Sequence, residues 1–208
     1  MSQLAETITS LGPGRLRVAV DGRTAAGKTS FGHELAGAIA ALGRPVLRAS
    51  LDDFKRPWRE RHLYDRESGE GYYRNAFDYE RVRTLLLTPF ETGACALCAI
   101  DPRTQVDHAA EVTQAGPGAV LLVDGVFAFR SALNPWWDYR VWLEISPELS
   151  VSRGLARDGG DVSVLTDRYL VSENIYLAEE DPVTRADAVI DNTRLDAPRF
   201  LRGDPAGR

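Results

Sequence analysis

A glycine-rich segment near the start of the chain constrains its fold more than any other feature. The run from Val18 to Thr29 reads VAVDGRTAAGKT and contains the pattern G-x-x-x-x-G-K-T, which begins at Gly22. Backbone N–H groups of such a loop curl around nucleotide phosphates, the lysine reaches the β- and γ-oxygens, and the threonine hydroxyl binds Mg²⁺. An apolar run precedes the loop and an Ala-rich run follows it, which fits the strand and the helix that flank such a loop. The segment therefore predicts a site for ATP or GTP. The residues expected to contact the nucleotide are Gly22, Arg23, Thr24, Ala25, Ala26, Gly27, Lys28, Thr29 and Ser30.

Composition narrows the class of protein. The chain has 208 residues, of which 44% are hydrophobic, enough for one α/β domain with its own core. Its net charge of −5 provides no basic field for nucleic-acid phosphates, so we expect no DNA or RNA partner. No apolar run approaches the length of a membrane span, and the first residues, MSQLAE, are polar and acidic. We expect a cytoplasmic protein that acts on a small molecule, and a homo-oligomer remains open.

Two cysteines, Cys95 and Cys98, form a single C-x-x-C pair. A zinc site would need a second pair, and the histidines His33, His62 and His108 are scattered along the chain. The segment around the cysteines is apolar and strand-like, whereas a redox-active pair usually lies at the start of a helix. We expect both cysteines to have a structural role.

Apolar segments alternate with helical patterns, which predicts a parallel sheet with helices on both faces. The predicted strands are Arg15–Val20, Pro45–Ser50, Val120–Val123, Tyr139–Ile145 and Ala188–Ile190. The predicted helices are Lys28–Leu42, Asp78–Leu87, Pro147–Arg157 and Val162–Leu177. The segments Cys95–Ile100 and Glu111–Gln114 are candidates for a small hairpin.

We expect one domain over residues 1–208. The polar and aromatic stretch from Leu51 to Asp78 is longer than ordinary loops, and loops of that length usually carry function. We therefore place the acceptor-binding region at about 51–115. The pair Gly159-Gly160 predicts a lid at about 153–172. The polar residues 193–208 predict a frayed tail.

A second candidate site residue is Asp124, which ends the apolar run Val120-Leu-Leu-Val. An acid at the end of a buried strand, downstream of a phosphate-binding loop, typically binds Mg²⁺ directly or through water. The alternative is an ordinary turn residue, because Gly125 follows it. We predict that Thr29 and Asp124 together hold Mg²⁺.

Two acids, Asp52 and Asp53, follow the second predicted strand. Ligands of open α/β sheets collect at the carboxyl ends of the strands. An acid there can accept the proton of an attacking hydroxyl group. The alternative is that one of them caps the next turn. We predict that Asp52 is the general base and that Asp53 contacts the substrate, although the sequence leaves the choice between them open.

Arg153 and Arg157 are four residues apart on a predicted helix and therefore share one face. Arginines on a closing lid neutralise the charge that spreads over a transferred phosphoryl group. The alternative is a solvated helix face, with Arg157 favoured by the helix dipole. We predict catalytic roles for both arginines, together with Lys28 and Asp52.

These motifs together resemble the uridine kinase branch of the P-loop kinases, from about Leu16 to Asn192. The resemblance rests on the phosphate-binding loop, Leu51–Phe54, Ala76–Asp78, Val123–Phe129, Arg153 with Arg157, and Ala186–Asn192. It implies a three-layer α/β fold with a five-stranded parallel sheet of order 2-3-1-4-5 and a small lid. It also implies that Asp52 faces the hydroxyl group of the acceptor.

The chain departs from that family where the acceptor binds. Uridine kinases usually have Asp-His-Pro-Asp before Ala-Phe-Asp, and this chain has Tyr72-Tyr73-Arg74-Asn75. The Tyr-Asp-Phe that grips the base in the family corresponds here to Ile100-Asp-Pro-Arg103. Arginine suits phosphate or carboxylate, so these positions can bind an anionic group. The candidate substrate-binding residues are Asp53, Phe54, Tyr72, Tyr73, Arg74, Arg103 and Arg168.

The sequence thus predicts an ATP- and Mg²⁺-dependent kinase of a small alcohol, with the 5′-hydroxyl of uridine or cytidine as the first candidate. A sugar, a pantothenate-like alcohol or a nucleoside monophosphate is the alternative acceptor. A nucleotide-gated switch is the rival from another class. It is disfavoured because the guanine-specifying Asn-Lys-x-Asp does not occur in the chain.

Overall fold

A computed structural model of the chain describes residues 1–61 and 63–203. Its main sheet has six strands in the spatial order β2-β5-β1-β6-β7-β8, and β3 pairs with β4 in a separate hairpin. Every pairing of the main sheet is parallel except that of β7 with β8. The strands are β1 (Leu16–Gly22), β2 (Val46–Ser50), β3 (Ala94–Ala96), β4 (Val112–Gln114), β5 (Val120–Asp124), β6 (Tyr139–Glu144), β7 (Ala188–Asp191) and β8 (Arg199–Arg202).

The α/β fold with a mostly parallel sheet is as predicted, but the strand count of five is wrong. The strand Arg199–Arg202 lies in the tail that we expected to be frayed, and it pairs antiparallel with β7. The order in chain numbering also differs, because the hairpin strands β3 and β4 come between β2 and β5 in sequence. When only the five parallel strands β1, β2, β5, β6 and β7 are numbered along the chain, their spatial order is 2-3-1-4-5. The rest of the tail, residues 204–208, lies outside the described residues, as does His62.

Helices cover both faces of the sheet. They are α1 (Ser2–Ser10), α2 (Lys28–Ala41), α3 (Gly69–Asn75), α4 (Tyr79–Arg81), α5 (Thr88–Thr92), α6 (Pro147–Asp158), α7 (Val171–Glu180) and α8 (Pro182–Arg185). A π-helical segment, Val82–Leu87, joins α4 to α5, and another, Val164–Leu170, leads into α7. Sequence patterns did not predict α1 or α3. In α1 the apolar contacts are made by Leu4, Ala5 and Ile8, which are buried against the sheet side that α2 also covers.

The sheet divides the core into two layers because neighbouring strand residues point to opposite faces. In β5, Val120 and Leu122 face the layer of α1 and α2, whereas Leu121 and Val123 face the other layer. All five residues of β5 are buried, as expected of a central parallel strand with both faces covered. The second layer contains the aromatic residues of α3 and α7 and the hairpin residue Cys95.

Both cysteines are free thiols, with Cys95 buried and Cys98 partly buried. Burial raises the pKa of each thiol to about 11, so both are protonated and unreactive near neutral pH. Among residues 1–61 and 63–203, no group of three or more His, Cys, Asp or Glu side chains could hold a metal ion by itself. Within the same residues, the structure has no helix with the length and apolar character needed to span a membrane.

The carboxyl ends of β1, β2 and β5 meet at one edge of the sheet. Val20 of β1 and Ser50 of β2 both lie level with Asp124 in the registers of their pairings with β5. The phosphate-binding loop leaves β1 there, and the turn that carries Asp52 leaves β2 there. The topology alone therefore brings the predicted motifs together, since ligands of open α/β sheets bind at this edge.

Candidate active site

The phosphate-binding loop runs from the end of β1 to the first residue of α2, Lys28. Gly27, just before the helix, has a φ of 89°, in the left-handed region that favours glycine. A Cβ atom at Gly27 would lie 2.8 Å from Leu195 Cδ2 and 2.9 Å from Asn192 Nδ2. Glycine is therefore required at this position by conformation and by space, and the N-terminus of α2 is left open toward the loop.

Three side chains from distant segments hold the loop in place. Glu173 of α7 accepts a hydrogen bond from Thr24 N at 2.6 Å and pairs with the Arg23 guanidinium at 3.1 Å. Ser150 Oγ of α6 donates to Thr24 O at 2.7 Å, and Asn192 Nδ2 donates to Ala26 O at 2.7 Å. The loop conformation is thus fixed by the helices and by β7 rather than by its own glycines alone.

Lys28 is folded back into the loop. Its Nζ donates to the carbonyl oxygens of Gly22 at 2.9 Å and Arg23 at 2.7 Å. Burial lowers the pKa of Lys28, and the neighbouring carboxylates of Asp21 and Glu173 oppose that shift. An ammonium group in this position is preorganised to meet the negative charge of a nucleotide.

Asp21 is fully buried directly beneath the loop. Its carboxylate accepts hydrogen bonds from Tyr176 Oη at 2.7 Å, Phe129 N at 3.2 Å and Gly22 N at 2.7 Å. Burial raises the pKa of Asp21 to about 6, although these hydrogen bonds and the charge of Lys28 act in the opposite direction. Asp21 therefore ties the end of β1 to α7.

Asp124 lies next to Thr29 and is 3% exposed. Thr29 Oγ1 donates to Asp124 Oδ2 at 2.8 Å, and Arg48 Nη2 donates to Asp124 Oδ1 at 2.5 Å. Arg48 is on β2, and sequence analysis gave it no role. Its guanidinium fits because residue 32 is glycine, where a Cβ atom would lie 2.8 Å from Arg48 Nη2.

The predicted Mg²⁺ ligands, Thr29 and Asp124, lie side by side. A hydroxyl group and a carboxylate, both at the edge of the nucleotide cavity, match the hard oxygen ligands that Mg²⁺ prefers. Mg²⁺ usually takes only one or two protein carboxylates and completes its shell with water and phosphate oxygens. The pair Thr29 and Asp124 therefore fits such an ion when a nucleotide is bound.

Asp52 is the second residue of the short 3₁₀ turn Leu51–Phe54, and Ser50 Oγ accepts a hydrogen bond from Asp52 N. Its Oδ1 lies 2.7 Å from Lys55 Nζ. Desolvation by the surrounding walls would raise the pKa of Asp52, but the ion pair with Lys55 and the charges of Lys28 and Arg157 hold it below its usual value. The side chain is 54% exposed and remains ionised at neutral pH, available as a proton acceptor.

One cavity of about 690 Å³ brings most of these groups together. Its walls include Asp52 and Lys55 from the turn after β2, and Lys28, Thr29 and Asp124 from the phosphate-binding loop and β5. The predicted site residues that line it are Thr24, Ala25, Gly27, Lys28, Thr29, Ser30, Asp52, Tyr72, Asp124, Arg153 and Arg157. The predicted donor, metal and base groups thus face the same space.

Arg153 and Arg157 reach the cavity from one face of α6, as their spacing predicted. Arg153 donates to the carbonyl oxygens of Asn192 at 3.1 Å and Thr193 at 2.8 Å. Arg157 pairs with the adjacent Asp158 and is 59% exposed. Arg153 is therefore fixed to the end of β7, whereas Arg157 is the freer of the two cations.

Several predicted residues lie elsewhere. Gly22, Arg23 and Ala26 belong to the loop but do not line the cavity. Phe54 and Tyr73 are fully buried in the core. The remaining predicted substrate residues outside the cavity are Asp53, Arg74, Arg103 and Arg168.

Tyr72 and Tyr73 point to different places because they lie in helix α3, where we expected a loop. Neighbouring residues of a helix point in different directions. Tyr72 lines the cavity, whereas Tyr73 packs edge-on against Phe127 at a centroid distance of 5.2 Å. Arg74 is directed to the surface, where it pairs with Glu70 and Glu179.

Asp53 and Arg103 line a separate pocket of about 320 Å³. Burial raises the pKa of Asp53 to about 6, and the nearby charges of Asp52 and Asp101 add to that shift. The structure thus places the two adjacent acids in different pockets, and only Asp52 faces the phosphate-binding loop.

Sequence analysis missed several residues of the site. Lys55, Tyr169 and Leu195 line the cavity without having been assigned a role. Arg48 contacts Asp124, the predicted metal ligand, and Glu173 contacts the loop, each from a distant segment. For Lys55 a signal existed, since a cation three residues after Asp52 on a helical turn can pair with it.

Comparison with known proteins supports the same fold. No protein-family model matches the chain, and no curated protein matches it either. Its structure is similar to that of a possible uridine kinase from Bacillus stearothermophilus, with a TM-score of 0.72, 24% identity, and coverage of 89% of this chain and 94% of that one. It is also similar to a candidate fructose transport system kinase from Silicibacter sp. TM1040, with a TM-score of 0.69, 21% identity, and coverage of 85% and 93%. At these identities the likeness is one of fold, and the chain has the α/β fold that these two P-loop kinases share.

Proposed function

We propose that this protein is an ATP- and Mg²⁺-dependent kinase that transfers the γ-phosphoryl group to an alcohol on a small molecule. The observation that carries the proposal is the shared cavity of Asp52 and the phosphate-binding loop. A regulatory nucleotide switch has no use for an ionised carboxylate opposite its phosphate site, whereas a kinase needs one to accept the proton of the attacking hydroxyl group.

In the proposed mechanism the nucleotide phosphates bind against the loop and the N-terminus of α2. Lys28 neutralises the β- and γ-oxygens, and Asp52 orients the acceptor hydroxyl and accepts its proton. When bound through Thr29 and Asp124, Mg²⁺ would supply further charge neutralisation at the phosphate oxygens.

The arginines of α6 are the remaining cations in the proposed mechanism. Arg157 is the more exposed cation at the rim, and we assign it to the phosphoryl group in the transition state. Arg153 positions the end of β7 through its two carbonyl contacts. Gly159 and Gly160, both with positive φ, follow α6 and are the proposed hinge of the lid over 153–172.

The identity of the acceptor is a finer part of the proposal. The 5′-hydroxyl of uridine or cytidine follows from the sequence resemblance, and the possible uridine kinase has a similar fold. Another alcohol, including a phosphorylated one, is the alternative. The placement of Arg74 and Arg103 outside the cavity removes two of the residues that we had assigned to the acceptor.

The proposal is tested by a turnover screen with Mg-ATP and a panel of uridine, cytidine, nucleoside monophosphates, sugars, sugar phosphates and pantothenate. ADP release and a product heavier by about 80 Da, the mass of a phosphoryl group, are expected for at least one alcohol. The variant Lys28→Ala, measured in parallel, should lose both nucleotide affinity and turnover. Tight ATP binding without turnover on any acceptor would contradict the kinase proposal and favour a nucleotide switch.

A further inference from the structure

A second pocket adjoins the candidate active site. It has a volume of about 380 Å³ and shares the side chains of Lys55, Tyr72 and Tyr169 with the larger cavity. Arg61 and Arg168 lie on its walls, and we call it the arginine pocket. The two spaces therefore adjoin at these three side chains, and an acceptor bound in the smaller one lies next to the cavity that contains Asp52.

The arginine pocket concentrates positive charge in a chain whose net charge is −5. Its walls contain the four cations Lys55, Arg61, Arg66 and Arg168, and one carboxylate, Glu67. Glu67 pairs with both Arg66 and Arg168, at 3.2 Å in each case. Lys55 is already paired with Asp52, so Arg61 is the wall cation that forms no ion pair within the described residues.

Both central arginines carry buried N–H groups that are not satisfied within the described residues. Arg61 Nη2 and Arg168 Nε are buried and have no hydrogen-bond partner there. Arg61 is held through its Nε, which donates to Arg56 O at 2.7 Å. Burial lowers the pKa of Arg61, and repulsion from Arg168 and Arg66 adds to that shift. Buried donors without acceptors are costly, and guanidinium groups that repel one another are stabilised by an anion between them.

The orientation of Arg168 places this charge next to the active site. Its guanidinium lies over the ring of Tyr72, at 5.0 Å from the centroid. Tyr72 is also a wall of the cavity that contains Asp52. Tyr72 therefore lies at the boundary where the arginine pocket and the cavity that contains Asp52 adjoin.

We infer that the acceptor alcohol carries an oxyanion group, a phosphate or a carboxylate, which binds to Arg61 and Arg168 in the arginine pocket. The hydroxyl group of the same molecule then faces Asp52. This inference rests on the proposed function and narrows its substrate class from alcohols in general to anionic alcohols. An uncharged pyrimidine nucleoside provides no anion for the unsatisfied Arg61 Nη2 and Arg168 Nε groups, which disfavours it as the substrate.

The test is calorimetric titration of the protein with inorganic phosphate and, separately, with malonate. The phosphate-binding loop is first saturated with Mg²⁺ and a non-hydrolysable ATP analogue, so that the probes cannot bind there. Arg61→Gln and Arg168→Gln should each weaken binding of at least one probe by about tenfold or more, since each removes a charged hydrogen-bond donor. The preferred probe distinguishes a phosphate from a carboxylate on the acceptor.

Arg59→Gln is the matched control, because Arg59 lies two residues from Arg61 but its side chain is 85% exposed. It should bind both probes as the wild type does. Arg61→Lys keeps the charge but loses the planar fork, and it should bind with intermediate affinity. Thermal unfolding of each variant establishes that it is folded. Failure of the wild type to bind either probe, or equal binding by wild type, Arg61→Gln and Arg168→Gln, would overturn the inference.

The acceptor screen separates this inference from the proposed function. Turnover confined to phosphorylated or carboxylated alcohols, with the KM for the acceptor raised at least tenfold in Arg61→Gln and the KM for ATP unchanged, supports both. Turnover of uridine or cytidine with an unchanged KM in Arg61→Gln would overturn the anionic acceptor and leave the kinase standing. Oxyanion binding that depends on Arg61, without any turnover, would support the pocket and contradict the kinase.

Discussion

The guanidinium of Arg48 donates to the carboxylate of Asp124, with Nη2 at 2.5 Å from Oδ1. The two residues lie on neighbouring parallel strands, β2 and β5, near the edge where the nucleotide cavity opens. Asp124 Oδ2 accepts a hydrogen bond from Thr29, so both carboxylate oxygens have a defined partner. The proposed metal ligand is therefore held in orientation by a cation from outside the phosphate-binding loop.

Replacing Arg48 should destabilise the protein. Arg48→Gln leaves a carboxylate that is 4% exposed without its counter-charge, and we expect a loss of about 3 kcal/mol or more in the free energy of unfolding. Chemical denaturation measures the change. Arg194→Gln is the control, since Arg194 pairs with Asp196 and both side chains are exposed, and a surface pair contributes less than about 1 kcal/mol. Equal losses in the two variants would show that the Arg48–Asp124 pair has no special role.

The contact between Glu173 and the loop predicts a linked effect on nucleotide binding. Glu173→Gln should weaken binding of an ATP analogue and lower stability by about 1 to 3 kcal/mol, because a neutral amide replaces a buried acceptor of Thr24 N and of the Arg23 guanidinium. Calorimetry and denaturation measure the two changes. Glu179→Gln, on the surface of the same helix, removes the exposed pair with Arg74, so it should lower stability by less than about 1 kcal/mol and leave nucleotide affinity unchanged. Unchanged nucleotide affinity in Glu173→Gln would contradict the inference that Glu173 holds the loop in its binding conformation.

The buried Asp21 predicts a specific dependence of stability on pH. Burial raises its pKa from 3.8 to about 6, so the folded state binds this proton more tightly than the unfolded chain does. Its contribution to stability is therefore full below pH 4 and is lost as the pH rises to 6. The loss amounts to about 3 kcal/mol, the equivalent of a pKa shift of roughly two units.

The variant Asp21→Asn removes this titration. Between pH 4 and 7, the free energy of unfolding of the wild type should fall relative to that of Asp21→Asn, as measured by urea denaturation across the range. Asp196→Asn, at an exposed position, should follow the wild-type curve. Parallel curves for the wild type and Asp21→Asn would show that Asp21 does not change its protonation on folding in this range.

The parts of the site that could be predicted from sequence are those fixed by local geometry or by the ends of strands. Lys28 and Thr29 follow from a motif of eight residues, and Asp52 and Asp124 follow from their position at the ends of apolar strands. The spacing of Arg153 and Arg157 was enough to place both on one side of α6. Each of these inferences needs only a few neighbouring residues and one rule of secondary structure.

The parts that could not be predicted depend on how distant segments pack. Arg61 and Arg168 line the same pocket although they are more than a hundred residues apart in sequence, and no sequence spacing predicts that. Glu173 reaches Thr24 only because α7 lies against the loop. Tyr73 was misassigned because α3 was read as a loop, and its helical geometry turns this ring into the core. The antiparallel strand β8 escaped prediction because it is a four-residue edge strand with arginine at both ends, which resembles a polar tail.

The most direct test compares Asp52→Asn with Asp53→Asn, since the two acids are adjacent in sequence but line different pockets. Turnover is measured with Mg-ATP and the acceptor found in the screen, and the affinity for an ATP analogue is measured in parallel. We expect Asp52→Asn to lower kcat at least about 100-fold with nucleotide affinity unchanged, and Asp53→Asn to retain most of the turnover. Near wild-type turnover by Asp52→Asn, or a larger loss in Asp53→Asn, would contradict the assignment of Asp52 as the base that activates the acceptor.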